Sequence, residues 1–393
     1  FICLSAILSM LPFSSFEFFI LMAVFMVIIY ICKYVTRDKN YKYVLFALNS
    51  IFLVFVYPKP LHLLLLILYA YFMTQVCSGF TKKIKGILLL LLPMLLVKLD
   101  IRFNFYPFEM NHLLSFAGLS YVSFRIIGYY MDKAPDEKMP DFISYFNFLS
   151  FSPTLLIGPI DRFSRFKASQ DTGFSFITSE NVITSWNALI KGIAFKYVIA
   201  ECIDRYWLNQ FDASSKALVP VLNNMYAYYA YLFFDFAGYS FMALGVGQLM
   251  GIKVPVNFTN PFVAVNPQDF WRRFHITLGD WLRDYFFSPL YMFFSRKKSL
   301  KKYPLTRQNL ALLLTFILMG CWNGFKFHYI LSGFLFGLYS AVHNTYTVQC
   351  KKKGKDVIFG NLNSKVVKII SIFIMLHLVA IALYIFSGRC PFV

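Results

Sequence analysis

Runs of apolar residues recur from one end of this chain to the other, and short loops rich in lysine and arginine separate them. The runs fall at residues 18–32, 44–57, 60–77, 86–97, 183–208, 217–250, 310–322, 327–346 and 366–387. A helix needs roughly 20 apolar residues to cross a bilayer. Inside hydrocarbon every backbone polar group must be paired, so a chain of such runs is constrained to helices. The expected fold class is an all-α polytopic membrane protein with about ten to twelve membrane segments, several short or broken. Its 58% hydrophobic and 15% charged residues exclude an ordinary soluble domain. The expectation is a single integral membrane domain over 1–393. Residues 1–13, apolar but short, read as a re-entrant or interfacial segment. The first run lacks a basic start and a small-residue cleavage site, so no cleavable signal peptide is expected. Because the chain begins at Phe1, native residues are expected to precede it.

The net charge of +19 is spread through the loops, at Lys33–Lys42, Lys82–Lys85, Arg296–Lys302 and Lys351–Lys355. That dispersal suits basic cytoplasmic loops facing anionic membrane lipids. It offers nucleic acid no continuous surface, and it would attract an acidic soluble partner. The seven cysteines are scattered without a CxxC pair, so neither a disulfide framework nor a metal site is expected.

Several features interrupt the runs. Pro58-Lys59-Pro60 should break any continuous helix. Pro153, Gly158 and Pro159 do the same within 144–168, just before Asp161, Arg162 and Arg165. Such broken backbone at membrane depth requires protein or a wet cavity around it. Arg125 lies inside an apolar run, where it either snorkels to the interface or pairs in the interior. Asp235 sits in a Tyr- and Phe-rich run whose Gly238, Gly245, Gly247 and Gly251 permit close helix approach.

Residues 266–291, NPQDFWRRFHITLGDWLRDYFFSPLY, carry the densest mixture of charge and aromatics. On a helix turning about 100° per residue, Arg272, His275, Gly279 and Arg283 share a stripe flanked by Asp269 and Asp280. Phe270, Trp271, Phe274, Leu278, Trp281, Leu282 and Tyr285 cover the other side. Either the stripe faces a hydrated cavity as a functional site, or the helix lies on the membrane surface. His62, His112, His328, His343 and His377 stand alone beside apolar runs and read as structural, with His328 and His343 as weaker candidates. No serine-hydrolase elbow, zinc-protease motif, P-loop or dinucleotide fingerprint occurs in a credible context.

Five segments together resemble the membrane-bound O-acyltransferase family. They are Gly158-Pro159-Ile160-Asp161-Arg162-Phe163, Phe234-Asp235-Phe236-Ala237-Gly238-Tyr239-Ser240, Asp269-Phe270-Trp271-Arg272-Arg273-Phe274-His275, Trp281-Leu282-Arg283-Asp284-Tyr285 and Met319-Gly320-Cys321-Trp322-Asn323-Gly324. They occur in the family's order across a core of about 110–346. The GPIDRF and SYVSFR segments and the single span after 346 most resemble the family's D-alanyl transfer type. The longer alginate-type O-acetyltransferases resemble the EFWRRWH-like stretch.

The resemblance implies tilted helices ringed around re-entrant ones, with a central tunnel. It implies an acyl thioester on the phosphopantetheine arm of an acidic carrier protein as donor, with no cofactor bound by the chain itself. The implied acceptor is a hydroxyl leading to lipoteichoic acid, or another surface polymer, outside a bacterial cytoplasmic membrane. His275 and position 323 would be catalytic. Asp161, Arg162, Asp235, Arg272, Arg283 and Trp322 are the candidate substrate-binding residues. A buried imidazole suits the chemistry, because a hydroxyl attacks a thioester poorly until a base takes its proton. Arg272 and Arg283 either stabilise the oxyanion or pair with Asp269 and Asp280, the reading favoured here.

The family's hallmark is a histidine where this chain has Asn323, and an amide cannot exchange a proton at neutral pH. Three readings stand. Asn323 is an inactivating substitution; or His275 is the base and Asn323 orients the acceptor or binds the oxyanion; or the chain is a non-catalytic relative that conducts or binds acyl groups. His328 would substitute only where the local helix is distorted, since i and i+5 do not share a face. An alginate-type O-acetyltransferase and a transporter or channel remain the alternatives to D-alanyl transfer.

Overall fold

A computed structural model describes residues 13, 16–36, 40–55, 57, 59–79, 83–103, 118–354 and 365–393. The readings of residues 1–12 and of His112 lie outside them. Every regular element among the described residues is helical. The chain divides into two compact units, one of residues 1–193 with 239–256, the other of 194–238 with 257–393.

The first unit begins with α1 (Phe16–Val35), α2 (Tyr41–Phe55), α3 (Pro60–Cys77) and α4 (Lys83–Phe103). α2 ends at Phe55 and a new helix starts at Pro60, as the expected break requires; Pro60 opens α3 where its missing N–H costs nothing. The leucine run at 86–97 proves longer than expected. α4 continues through Pro93 and across Lys98 to Phe103, giving 21 residues. Next come α5 (Leu119–Asp132), α6 (Phe142–Ser150), α7 (Phe163–Thr172) and α8 (Ser179–Ile193). Edge-on rings of Tyr41, Tyr145, Phe148, Phe151 and Phe166 fill the core.

The predicted break after residue 150 is present. Only a 3-10 turn at Ser152–Thr154 and irregular chain lie between α6 and α7. Its backbone groups are satisfied by side chains from elsewhere in the unit. Arg125, 1% exposed, donates to the carbonyls of Phe148 (3.2 Å) and Thr154 (2.5 Å) and to the Thr154 hydroxyl (2.6 Å). The Ser152 N–H donates to Asn49 Oδ1 at 3.2 Å. A helix end leaves carbonyls without intrahelical partners, and here a buried guanidinium takes them up. Arg125 therefore pairs in the interior and does not snorkel.

α9 (Leu218–Leu249) runs 32 residues, as the Tyr- and Phe-rich pattern predicts. Its Gly245 lets α8 approach so closely that a Cβ there would stand 2.7 Å from the Ser185 carbonyl.

The second unit opens with a helical run of largely π character, Ala194–Leu208. It continues through α10 (Pro267–Trp271), α11 (Ile276–Leu282), a π turn at Arg283–Phe287 and α12 (Ser288–Ser295). α13 (Pro304–Asn323) and α14 (Phe327–Lys352) form a hairpin, and α15 (Lys365–Phe386) follows. The glycines of the hairpin set its closeness. A Cβ on Gly320 would collide with the Tyr329 backbone, and one on Gly333 with the Phe316 carbonyl.

Five of the described helices are long and apolar enough to cross a membrane: residues 18–35, 60–77, 218–249, 304–323 and 365–386. The other apolar runs are shorter, carry more charge or are interrupted. The protein is multi-pass, with fewer long uninterrupted spans among the described residues than the apolar runs suggest.

Candidate active site

The 266–291 stretch is not the single helix its periodicity predicts. α10 starts on the Asn266 cap, whose Oδ1 accepts from the Asp269 N–H at 2.8 Å, and ends after five residues. The chain then turns, and His275 takes a left-handed conformation (φ 51°, ψ 50°) before α11 begins. That conformation costs a residue with a Cβ about 1–2 kcal/mol. Contacts from the preceding segment hold it. The Ile276 N–H donates to the Asn257 carbonyl at 2.9 Å, and the Thr277 N–H and hydroxyl both donate to Asn257 Oδ1. Asn257 thus caps α11 from a distance, and tertiary contacts override a sequence that would propagate helix. The break dissolves the stripe of Arg272, His275, Gly279 and Arg283.

Its members go separate ways. His275 is 6% exposed, with its ring edge-on to Phe236 (4.8 Å) and tilted against Phe258 (6.1 Å). Burial pulls its pKa below the ordinary histidine value and keeps the imidazole neutral. Arg283 pairs with Asp280 (2.7 Å) and Asp284 (2.8 Å) on an exposed face. Asp269 is held by Arg273 at 2.8 Å, one turn on, and not by Arg272, which is exposed. Of the two pairings favoured from the sequence, Arg283 with Asp280 forms and Arg272 with Asp269 does not.

Within the second unit the 234–238 and 269–275 segments meet, and the latter seats on the helix that carries 319–323. His275 meets Phe236, the neighbour of Asp235 on α9. Asp235 itself pairs with Lys196. Phe270 stacks on Phe336 (5.9 Å) and Trp271 packs on Phe316 (5.1 Å), so α10 seats on the α13–α14 hairpin. Phe316 lies two turns before Asn323, about 10 Å along the axis. Asn323 closes α13; its exposed amide donates to the Met319 carbonyl at 2.9 Å, and Gly324 ends the helix. Trp322, half-buried, precedes it. The helix interruption that His328 requires is present at 324–326. Its Nδ1 lies 2.9 Å from the Phe386 carbonyl, which can only accept, so that nitrogen is the donor.

Asp161 and Arg162 belong to the first unit. Asp161 is buried and accepts from Arg165 (2.6 Å) and from the Arg162 N–H (2.7 Å); burial nonetheless pushes its carboxyl pKa up. Arg162 is exposed, 4.0 Å from Asp132. Sequence reasoning missed Asn257, Lys196 and the role of Arg273. The i,i+4 spacing from Asp269 was a usable signal for Arg273. Lys196 and Asn257 are distant in sequence from their partners and gave none.

The chain matches the family described as MBOAT, membrane-bound O-acyltransferase, over residues 48–386. It is 32% identical to the teichoic acid D-alanyltransferase of Bacillus subtilis, over 98% of this chain and 99% of that one. It is 33% identical to the protein of the same name from Streptococcus thermophilus, over 76% and 74%. A shorter match, 31% identical over 63% of this chain and 46% of the relative, is to the protein named "Probable alginate O-acetylase AlgI" of Pseudomonas aeruginosa.

Proposed function

Because the chain belongs to the membrane-bound O-acyltransferase family, we propose that it moves a D-alanyl group from the phosphopantetheine thioester of a cytoplasmic carrier protein to a hydroxyl on the path to lipoteichoic acid. The observation that carries this reading is coverage. The match to a teichoic acid D-alanyltransferase runs nearly end to end in both chains, whereas the alginate-type match covers less than half of the relative. The setting is a bacterial cytoplasmic membrane. An acidic carrier suits a protein of net charge +19 with basic loops.

In the proposed step, His275 takes the proton of the acceptor hydroxyl as its oxygen attacks the thioester carbonyl. The C–S bond then breaks, and the leaving thiolate recovers the proton. Burial keeps that imidazole neutral, the form able to accept a proton, while lowering its basicity. Asn323 supplies amide N–H to the oxyanion or orients the acceptor, a part an amide performs without titrating. Asp161, Arg162, Asp235, Arg272, Arg283 and Trp322 remain the proposed substrate contacts. Arg283 and Asp235, already ion-paired, act through those pairs.

The test is donor choice. Membranes containing the chain receive carrier loaded with labelled D-alanine or, separately, an acetyl thioester. D-Alanyl ester on the acceptor with little acetyl transfer is expected. Acetyl transfer alone would replace this reading with the alginate type, and transfer of neither would remove it.

A further inference from the structure

The second unit contains a cavity of about 450 Å³ between α14, α15 and the chain entering α10. Its volume is that of a small-ligand site. Leu338, Val342, Ile374, Met375, Leu378 and Val265 make most of the wall. Val342 (60%), Leu338 (39%) and Ile374 (39%) are also exposed on the outside of the helices, so the cavity opens sideways where a multi-pass protein meets lipid.

The two helices run antiparallel. The Ser332 hydroxyl donates to the Ala382 carbonyl at 2.8 Å, and moving equally along both helices from that bond brings His343 opposite Ser371. Tyr346, His343 and Ser371 therefore line the end of the cavity nearest the 352–365 connection, and Leu338, Met375 and Leu378 line the end away from it. Beyond that end stand exposed lysines, Lys351 and Lys352 in the last turn of α14 and Lys365 and Lys368 at the start of α15. At 1.5 Å per residue they lie about 5–9 Å past the cavity rim. Neither helix carries an Asp or Glu. Cations beyond an almost wholly apolar wall is the order of groups that an anionic membrane lipid requires.

We propose that this cavity holds an acyl chain of an anionic glycerophospholipid whose phosphate rests among Lys351, Lys365 and Lys368. The lipid would be a structural companion of the α14–α15 pair, separate from the acyl-transfer chemistry. Charge complementarity selects the anionic class, since a zwitterionic lipid would use the hydrocarbon wall and gain little from the lysines.

The test is native mass spectrometry of the full-length chain, delipidated in detergent and titrated with phosphatidylglycerol or phosphatidylcholine of the same chain length. One tight phosphatidylglycerol site is expected, at least ten-fold stronger than for phosphatidylcholine. Replacing Lys351, Lys365 and Lys368 together by Gln, on exposed positions that folding does not need, should bring the two lipids level. Filling the cavity by Leu338→Trp or Val342→Trp, one at a time, should remove the tight site while the chain still elutes as a single species. Equal binding of both lipids, or tight phosphatidylglycerol binding that survives either the lysine changes or whichever cavity-filling variant folds, would overturn the proposal.

Discussion

At the scale of single residues the site turns on His275 and Asn323. In the proposed step the amide at 323 is placed to donate to the oxyanion, and removing one such donor costs about 10²–10³-fold. Asn323→Ala is therefore expected to lower the initial rate of acyl transfer by about 10²-fold or more. An unchanged rate would show that position 323 takes no part. The depressed pKa of His275 fixes the sign of the pH dependence. Its neutral form persists as pH falls through the ordinary histidine value of about 6.5, so the acid limb set by this residue belongs below that pH. A rate–pH profile losing half its activity at 6.5 or above would contradict a buried imidazole as base. The departure at 323 was legible because it breaks a recurring motif. The left-handed backbone at His275 was not, because Asn257, eighteen residues earlier, imposes it through hydrogen bonds no local pattern encodes.

At the scale of elements the sequence is most readable where proline and glycine act. Pro153 and Pro159 located the break between α6 and α7, and Gly245 the close approach to α8. What occupies such a break is less readable. Arg125 satisfies three acceptors there. Hydrogen bonds to a charged group contribute about 1.5–3 kcal/mol each, and stranding buried acceptors costs more. Arg125→Leu should lower stability by about 3 kcal/mol or more, read as a fall in thermal midpoint in detergent. Arg125→Lys should recover only part, since an ammonium cannot span the same fork. At the α13–α14 hairpin, Gly320→Leu should force the helices apart, costing about 1–3 kcal/mol and lowering activity through displacement of Asn323. A variant as stable and active as the parent would show that the hairpin yields freely. Periodicity failed most plainly at 266–291. Its residues favour helix throughout, and the interruption comes from partners outside the stretch.

At the scale of the molecule, composition and repeated basic loops were enough to place the chain in a membrane, and five short motifs in order were enough to place it in a family. Division into two compact units was not legible, because α9 and the 179–208 helical run pass from one unit to the other without a break. The proposed function requires the donor on one side of the membrane and the acceptor on the other. Sealed vesicles carrying the chain, with D-alanyl-loaded carrier outside and a glycerol-phosphate acceptor enclosed, test that requirement most directly. Labelled D-alanyl ester on the enclosed acceptor, lost with His275→Ala while protein level and insertion are unchanged, is expected. Enclosed acceptor that stays unlabelled, or label that survives His275→Ala at the parental rate, would contradict transfer across the membrane by this imidazole.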